Sequence, residues 1–319
     1  MNWNTYYRGT GRANGDVVLP PPPPWRTFTQ EPAAQLFQPP EGLVDAVNAA
    51  LCLRRPLLIT GPPGSGKSTV IEQVAAELSL GQVLRWHITS RSTLADALYR
   101  YDALGRIHAQ RLQQELAQRH PERAADIDDD ISMFVHLGPL GTALLPSPRP
   151  RALLIDEIDK ADLDLPGDLL DVLERGEYRI VELLRERRES ASITQWDSED
   201  RAVVERGHIR CTEFPFIVMT SNGEQELSAP FLRRCVRYEM PEPTPGFIGQ
   251  IVQAHLGIDT HSGPTAKLIE SFVTRVKAKD QIAIDQLLGT LHLLKGVPET
   301  ETGERKRLER LLMKALGSA

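Results

Sequence analysis

The sequence predicts an α/β fold, in which a parallel β-sheet carries helices on both faces and a helical domain follows it. Short apolar runs, such as LLIT at 57–60 and ALLI at 152–155, are typical of strands buried inside a parallel sheet. Stretches with helical periodicity alternate with these runs, as they do in strand–helix–strand units. After the proline-rich PEPTP at 241–245, only helical periodicity remains.

Length and composition set the first limits. The chain has 319 residues, so we expect one large domain with a smaller one attached, because single cores rarely grow beyond about 300 residues. A net charge of −6 argues against a general nucleic-acid coat, although a local basic patch is not excluded. The three cysteines form no CxxC pair, which argues against a disulfide framework or a zinc site. No apolar run approaches the roughly 18 residues of a membrane helix, and the N-terminus has no apolar signal core, so we expect a reduced, cytoplasmic protein.

The elements can be placed in chain order from these patterns. An N-terminal extension at 1–40 contains five consecutive prolines at 20–24, which favour polyproline II. It is either a strap along the first domain or a ligand for a proline-binding module. The α/β domain occupies 41–240 and the helical domain 241–319. Strands are predicted at 57–60, 83–89, 152–155 and 216–220, and helices at 70–78 and 92–120, within the α/β domain.

A glycine-rich turn follows the first strand and matches the phosphate-loop motif G-x-x-x-x-G-K-[ST] in full, as GPPGSGKS. Glycines let the backbone turn its N–H groups inward around phosphates, and the next helix directs its positive end at them. Lys67 supplies positive charge to the β- and γ-phosphates, and the Ser68 hydroxyl is a ligand for Mg²⁺. The predicted binding residues are Gly61, Pro62, Pro63, Gly64, Ser65, Gly66, Lys67, Ser68 and Thr69.

Four further residues indicate hydrolysis of the bound nucleotide. The apolar run ALLIDE ends in Asp156 and Glu157, which would face the ligand crevice at the carboxyl end of a parallel strand. Asp156 is expected to hold Mg²⁺, and Glu157 to polarise the attacking water. Asn222 ends the apolar run FIVMTSN and is expected to orient that water or contact the γ-phosphate. Arg234, in LRRC, can stabilise charge on the transferring phosphoryl group, in its own or a neighbouring subunit.

Four motifs of this chain resemble, in the same order, those of the AAA+ ATPases and, within them, of the MoxR-like group. They are GPPGSGKS, LLIDEIDKAD, VMTSN and LSAPFLRRC. The likeness covers residues 41–295. It implies an αβα P-loop NTPase core with a C-terminal helical lid, bound ATP and Mg²⁺, and a ring, commonly hexameric, with ATP at subunit interfaces. LYRYDALGRIHAQ and GPLGTALL resemble a bacterial subgroup found near von Willebrand A-domain proteins, which are the partners this resemblance implies.

The resemblance also implies residue roles. The GPPGSGKS loop is similar to Walker A, and Asp156 with Glu157 to the Walker B pair. Asn222 matches sensor 1. Arg234 matches the arginine finger presented to the next subunit, with Arg233 as the second candidate.

Two segments depart from the family pattern or extend it. Relatives carry an arginine at the start of a lid helix, called sensor 2, where this chain has Asp285; basic residues at 275–279 could replace it. The segment 177–214 is long for a simple connection. Its ends, 177–180 and 208–212, are expected to be the two arms of a β-hairpin inserted before sensor 1. Such hairpins contact the remodelled partner in related rings.

The first functional hypothesis is an ATP-hydrolysing, oligomeric switch or motor that remodels a partner protein. The alternative is a scaffold that assembles on ATP without turning it over, for a separate effector protein. A small-molecule kinase is a third, and Glu157, Asn222 and the lid argue against it. Neither nucleic acid nor a membrane is the expected partner.

Overall fold

The computed structural model describes residues 6–7, 9–12, 16, 18–23, 37–119, 130–185, 189–278, 280, 282–297 and 302–314. The chain divides into two compact units. The helical unit comprises the described residues within Met1–Pro40, Gly61–Val70 and Met240–Ala319, and the sheet unit comprises those within Glu41–Thr60 and Ile71–Glu239. Two positions named in the sequence analysis lie outside the described residues. They are Pro24, the last residue of the proline run, and Lys279, the last of the basic residues considered in place of sensor 2.

The sheet unit contains a five-stranded sheet in which every pairing is parallel, as predicted. Its strands are β1 Leu57–Thr60, β2 Leu84–His87, β5 Ala152–Asp156, β10 Phe216–Ser221 and β11 Val236–Glu239. The spatial order is β11-β1-β10-β5-β2. The parallel sheet of the predicted α/β fold is therefore confirmed.

The apolar runs of the sequence form the centre of this sheet. All six residues of β10 are buried, as are four of the five in β5 and the first three of β1. Each buried side chain contributes roughly 25 cal/mol per Å² of apolar surface removed from water, which explains why these strands have no polar face. The edge strands β2 and β11 are only partly buried.

Helices and 3-10 turns fill the connections of the sheet unit. The helices are α1 Leu43–Leu53, α2 Thr69–Glu77, α3 Leu94–Leu98, α4 Ala103–Arg119, α5 Pro139–Ala143, α6 Leu165–Arg175, α7 Val181–Leu184 and α8 Ala229–Leu232. Two 3-10 turns lie at Ile131–Phe134 and Ile158–Lys160. The apolar residues between them join in one core with the buried strands.

The prediction of one helix over 92–120 was wrong near its start, where a strand interrupts it. Thr93 caps α3 by accepting the N–H of Asp96 at 3.2 Å, and the helix then stops. The next three residues form β3, Tyr99–Tyr101, which pairs antiparallel with β4, Val135–Leu137. Tyrosines favour strands, and the partner that selects the strand lies more than 30 residues away, beyond the range of a local pattern.

A second, six-stranded sheet in the order β3-β4-β7-β8-β9-β6 completes this unit. Its remaining strands are β6 Glu177–Arg179, β7 Ser190–Thr194, β8 Arg201–Glu205 and β9 His208–Arg210. The expected hairpin arms do pair: β6 and β9 run antiparallel, with Tyr178 opposite Ile209. The chain between them is more than a loop, because it adds α7 and the antiparallel pair β7–β8.

The helical unit contains α9 Pro245–Leu256, α10 Gly263–Lys277, α11 Ile284–Leu294 and α12 Thr302–Leu312. Thr244 caps α9 by accepting the N–H of Phe247 at 3.2 Å. Apolar residues at helical spacing on α9, α10 and α11, such as Phe272 and Leu287, form its core. The helical C-terminal region predicted from the sequence is confirmed. Within the described residues, no helix is long and apolar enough to cross a membrane.

Candidate active site

The phosphate loop depends on its glycines. Gly61, Gly64 and Gly66 have φ angles of 148°, 74° and 84°, a region that side chains with a Cβ rarely adopt. There is also little room for a Cβ atom at these glycines. A Cβ on Gly61 would lie 2.8 Å from the Cβ of Met240, and one on Gly64 3.1 Å from the backbone nitrogen of Ile284. The three motif glycines are therefore required by the shape of the loop.

Polar groups of the loop are arranged for an anionic ligand. Lys67 is 7% exposed, and its Nζ donates to the carbonyl oxygens of Gly61 and Pro62, each at 2.8 Å. The buried Ser65 Oγ has no hydrogen-bond partner among the described residues. Helix α2 begins at Thr69, immediately after the loop, so its positive end lies at the loop. A buried ammonium, an orphan hydroxyl and a helix N-terminus together fit a polyphosphate.

An apolar cavity adjoins the loop within the helical unit. Its walls combine loop residues with residues of α9, α10 and α11, including Pro40, Pro62, Ser65, Phe247, Phe272 and Ile284. The walls are mostly apolar, and the cavity volume of about 20 Å³ would hold little more than one water molecule.

The register of the sheet brings the other predicted residues to one edge. Thr60, the residue before the loop, lies opposite Ser221. Strands β10 and β5 are in register up to Met219 and Ile155, and β2 places His87 opposite Asp156. Because all these strands are parallel, Asp156, Glu157 and Asn222 leave the sheet at the same carboxyl edge, where such folds bind ligands.

Thr220 forms hydrogen bonds with both Asp156 and Glu157. Its Oγ1 donates to Oδ1 of Asp156 at 2.5 Å and accepts the backbone N–H of Glu157 at 2.9 Å. Glu157 has φ 59° and ψ 50°, a left-handed conformation that a glutamate adopts only when its surroundings impose it. Thr220 is 1% exposed, and it was missed by the sequence analysis because a threonine inside an apolar run has no motif around it.

The Glu157 carboxylate is held by two donors. Asn222 Nδ2 donates to Oε1 at 3.1 Å, and Lys160 Nζ donates to Oε2 at 2.7 Å. His87 Nε2 lies 3.6 Å from the same Oε2. Hydrogen bonding to Glu157 is the main reason why the pKa of Lys160 is raised above its usual value. We call Asp156, Glu157, Lys160, Thr220 and Asn222 the strand-end cluster.

The structure does not bring Arg234 into this cluster. Its guanidinium pairs with Glu174 on α6 and donates to the carbonyl oxygen of Pro230 at 3.2 Å. Arg233 is exposed beside it. In the helical unit, Asp285 is exposed near the start of α11, and Arg275 is engaged with Asp280 and the Met313 carbonyl oxygen.

Fold and site together define a P-loop nucleotide-binding protein. A family model for the AAA domain (dynein-related subfamily) matches residues 56–235, more than half of the chain. The chain therefore belongs to the dynein-related subfamily of AAA domains, a family of AAA+ ATPases, and the AAA+ resemblance is confirmed. No curated protein matches its sequence.

Solved structures match this chain at low sequence identity. Domain III of the Thermotoga maritima replication initiation protein DnaA has 14% identity and a TM-score of 0.41, with 89% of this chain and 98% of that one covered. The T. maritima RuvB Holliday junction branch migration motor has 15% identity and a TM-score of 0.41, with coverage of 84% and 66%. PCH-2 from C. elegans has 14% identity and a TM-score of 0.36, with 85% of this chain and 66% of that one covered. These values are too low to carry a functional assignment.

Proposed function

We propose that this chain is a Mg²⁺-dependent ATP hydrolase of the MoxR-like type, which assembles into an oligomer and remodels a partner protein. One observation carries the hydrolytic part of the proposal. The Glu157 carboxylate is held by Asn222 and Lys160 yet keeps 23% of its side chain exposed, so it is oriented and still open to water. A carboxylate fixed within reach of water is what general-base chemistry requires.

The phosphate loop supports ATP as the substrate. Lys67 and the N–H groups of the loop would bind the β- and γ-phosphates, with the orphan Ser65 hydroxyl and Thr69 at the start of α2 beside them. The donor chemistry also fits Mg²⁺, because Ser68 and Asp156 supply the oxygen ligands that this ion prefers. Bound Mg²⁺ would neutralise charge on the phosphates. Within the described residues, no group of three or more His, Cys, Asp or Glu side chains could hold a metal ion.

In the proposed reaction, Glu157 takes a proton from the attacking water while Asn222 keeps the carboxylate in place. Lys67 stabilises the negative charge that develops on the phosphate oxygens. These effects act through positioning and electrostatics, which dominate catalysis of phosphoryl transfer. A kinase would need no carboxylate for water, so the held Glu157 favours hydrolysis.

We further propose that a neighbouring subunit supplies the arginine finger. Within the subunit, the contacts of Arg234 are with Glu174 and Pro230, away from Glu157. An arginine that reaches the γ-phosphate of the next subunit would couple hydrolysis to assembly, in a ring that we expect to be hexameric. Arg234 is the first candidate and the exposed Arg233 the second. The MoxR-like motifs support a protein partner, with a von Willebrand A-domain protein as the expected class.

The decisive experiment compares phosphate release by the wild type, Glu157→Gln and the control Glu226→Gln, which changes an exposed glutamate. We expect Mg²⁺-dependent release by the wild type and the control, abolished by EDTA. Glu157→Gln should turn over at least about 100-fold more slowly and still bind ATP, since only the base is lost. Normal turnover in Glu157→Gln would contradict the role of Glu157. A wild type that binds ATP and never releases phosphate would favour the scaffold alternative.

Mixing two inactive variants tests the shared site. Lys67→Ala subunits should bind ATP weakly and hydrolyse little of it, but they carry an intact Arg234. Arg234→Ala subunits have the opposite defect, because they bind ATP and lack the finger. We expect partial recovery of phosphate release in mixtures, with a maximum at intermediate ratios. The same mixture made with Arg233→Ala separates the two arginine candidates. No recovery at any ratio with either variant would contradict a finger supplied by a neighbour.

A further inference from the structure

Asp159 is a buried carboxylate that the proposed mechanism does not use. It lies in the 3-10 turn after Glu157 and is 2% exposed. Its Oδ2 accepts the backbone N–H groups of Asn222 at 3.0 Å and of Glu224 at 2.9 Å. Its Oδ1 is buried and has no hydrogen-bond partner among the described residues. Burial of a carboxylate with one oxygen unbonded is unfavourable for folding, so stability alone does not explain the residue.

Asn222 is consequently held from two sides by one short turn. Its side-chain amide donates to Glu157, and its backbone N–H donates to Asp159. The two acceptors are only two residues apart, so the turn and the end of β10 are joined as a closed hydrogen-bonded ring. Loss of the Asp159 contact would leave the Asn222 amide free to move relative to the Glu157 carboxylate.

We propose that Asp159 is a positioning residue for ATP hydrolysis, which acts through Asn222 to set the orientation of the Glu157 carboxylate. This inference rests on the proposed function. Asp159 would not touch ATP or water, so its removal should lower kcat and leave the KM for ATP unchanged. A shift of about 1 Å in a catalytic group can reduce turnover by up to about 100-fold.

The test is a double-mutant cycle on the full-length chain. We expect Asp159→Ala to lower kcat about 10-fold, with the KM for ATP within about twofold of the wild type. Asp159→Asn keeps an acceptor oxygen in place and should restore most of the rate. Asp159→Ala combined with Asn222→Ala should be no slower than Asn222→Ala alone, because both act through one group. The control is Asp164→Ala, which removes an exposed carboxylate at the N-cap position of α6 that makes no capping hydrogen bond. Should the alanine variant fold poorly, Asp159→Ser, too short to reach both N–H groups, replaces it.

Hydrogen exchange gives a readout that needs no turnover. In Asp159→Ala, a peptide covering 220–226 should exchange at least about 10-fold faster at Asn222 and Glu224, because both N–H groups lose their acceptor. Unchanged exchange at Asn222 and Glu224 in Asp159→Ala would overturn the proposal. So would a double-mutant cycle in which the losses of kcat from Asp159→Ala and Asn222→Ala are fully additive. If the wild type releases no phosphate, the proposed function fails. The exchange result still decides whether Asp159 holds Asn222.

Discussion

The phosphate loop and the strand-end cluster are both polar sites, but they are built in opposite ways. The loop takes its residues from one stretch of chain, and Lys67 donates to carbonyl oxygens only five and six residues away. The strand-end cluster joins residues from two distant strands, with Thr220 and Asn222 bonded to partners more than 60 residues earlier. The loop is therefore a local structure, whereas the cluster exists only once the sheet is in register.

This difference predicts different responses to substitution. In the loop, Lys67 supplies the one ammonium group for the phosphates, so a single substitution should remove most of the affinity for ATP. In the cluster several hydrogen bonds share the task of holding Glu157, so single changes should give graded losses. Effects should appear in ATP affinity for the loop and in turnover for the cluster.

Lys67→Ala should have the largest effect on ATP affinity. Loss of charge-assisted hydrogen bonds worth about 1.5–3 kcal/mol each corresponds to roughly 10- to 100-fold weaker binding, which calorimetry with Mg·ATP can measure. Lys160→Ala is the matched control, because it removes a lysine that contacts Glu157 rather than the loop. Equal losses of affinity in both variants would remove the distinction between the loop and the cluster.

Thr220→Val should have an intermediate effect, on turnover and on stability. Valine keeps the shape and removes the hydroxyl, so the Glu157 N–H loses its acceptor and Asp156 Oδ1 loses the hydrogen bond from Thr220. The unbonded groups should lower the free energy of unfolding by about 1–3 kcal/mol in urea titrations, and kcat about 10-fold.

Thr220→Ser is its matched control, since serine keeps the hydroxyl and loses only a methyl group. The serine variant should turn over at a rate near that of the wild type. If valine and serine had the same kcat, the hydroxyl would have no part in holding Glu157.

The same contrast explains what the sequence could predict. GPPGSGKS identified the loop because its chemistry and its spacing lie in eight consecutive residues. Asp156, Glu157 and Asn222 were identified because each ends an apolar run, and the structure places Glu157 and Asn222 in direct contact. The parallel sheet followed from the same runs.

Residues whose role depends on register were not predictable in this way. Thr220 and Asp159 lie within or next to apolar residues, and only the pairing of β10 with β5 shows that they bond across strands. The strand at Tyr99–Tyr101 was missed for the same reason, since β4 lies far along the chain. Local patterns predict elements, and contacts between elements require the fold.

Lys160→Met should have the smallest effect. The Lys160 side chain is 39% exposed, and an ion pair in contact with water contributes little, so Glu157 should remain held by Asn222. We expect kcat to fall about two- to fivefold, because the carboxylate samples more rotamers, and the affinity for ATP to stay the same. Lys160→Arg keeps the charge and should lie between Lys160→Met and the wild type. Steady-state phosphate release at several ATP concentrations separates these effects. A loss as large as that of Glu157→Gln would mean that Lys160 has a direct part in the chemistry and that the cluster, like the loop, depends on one cation.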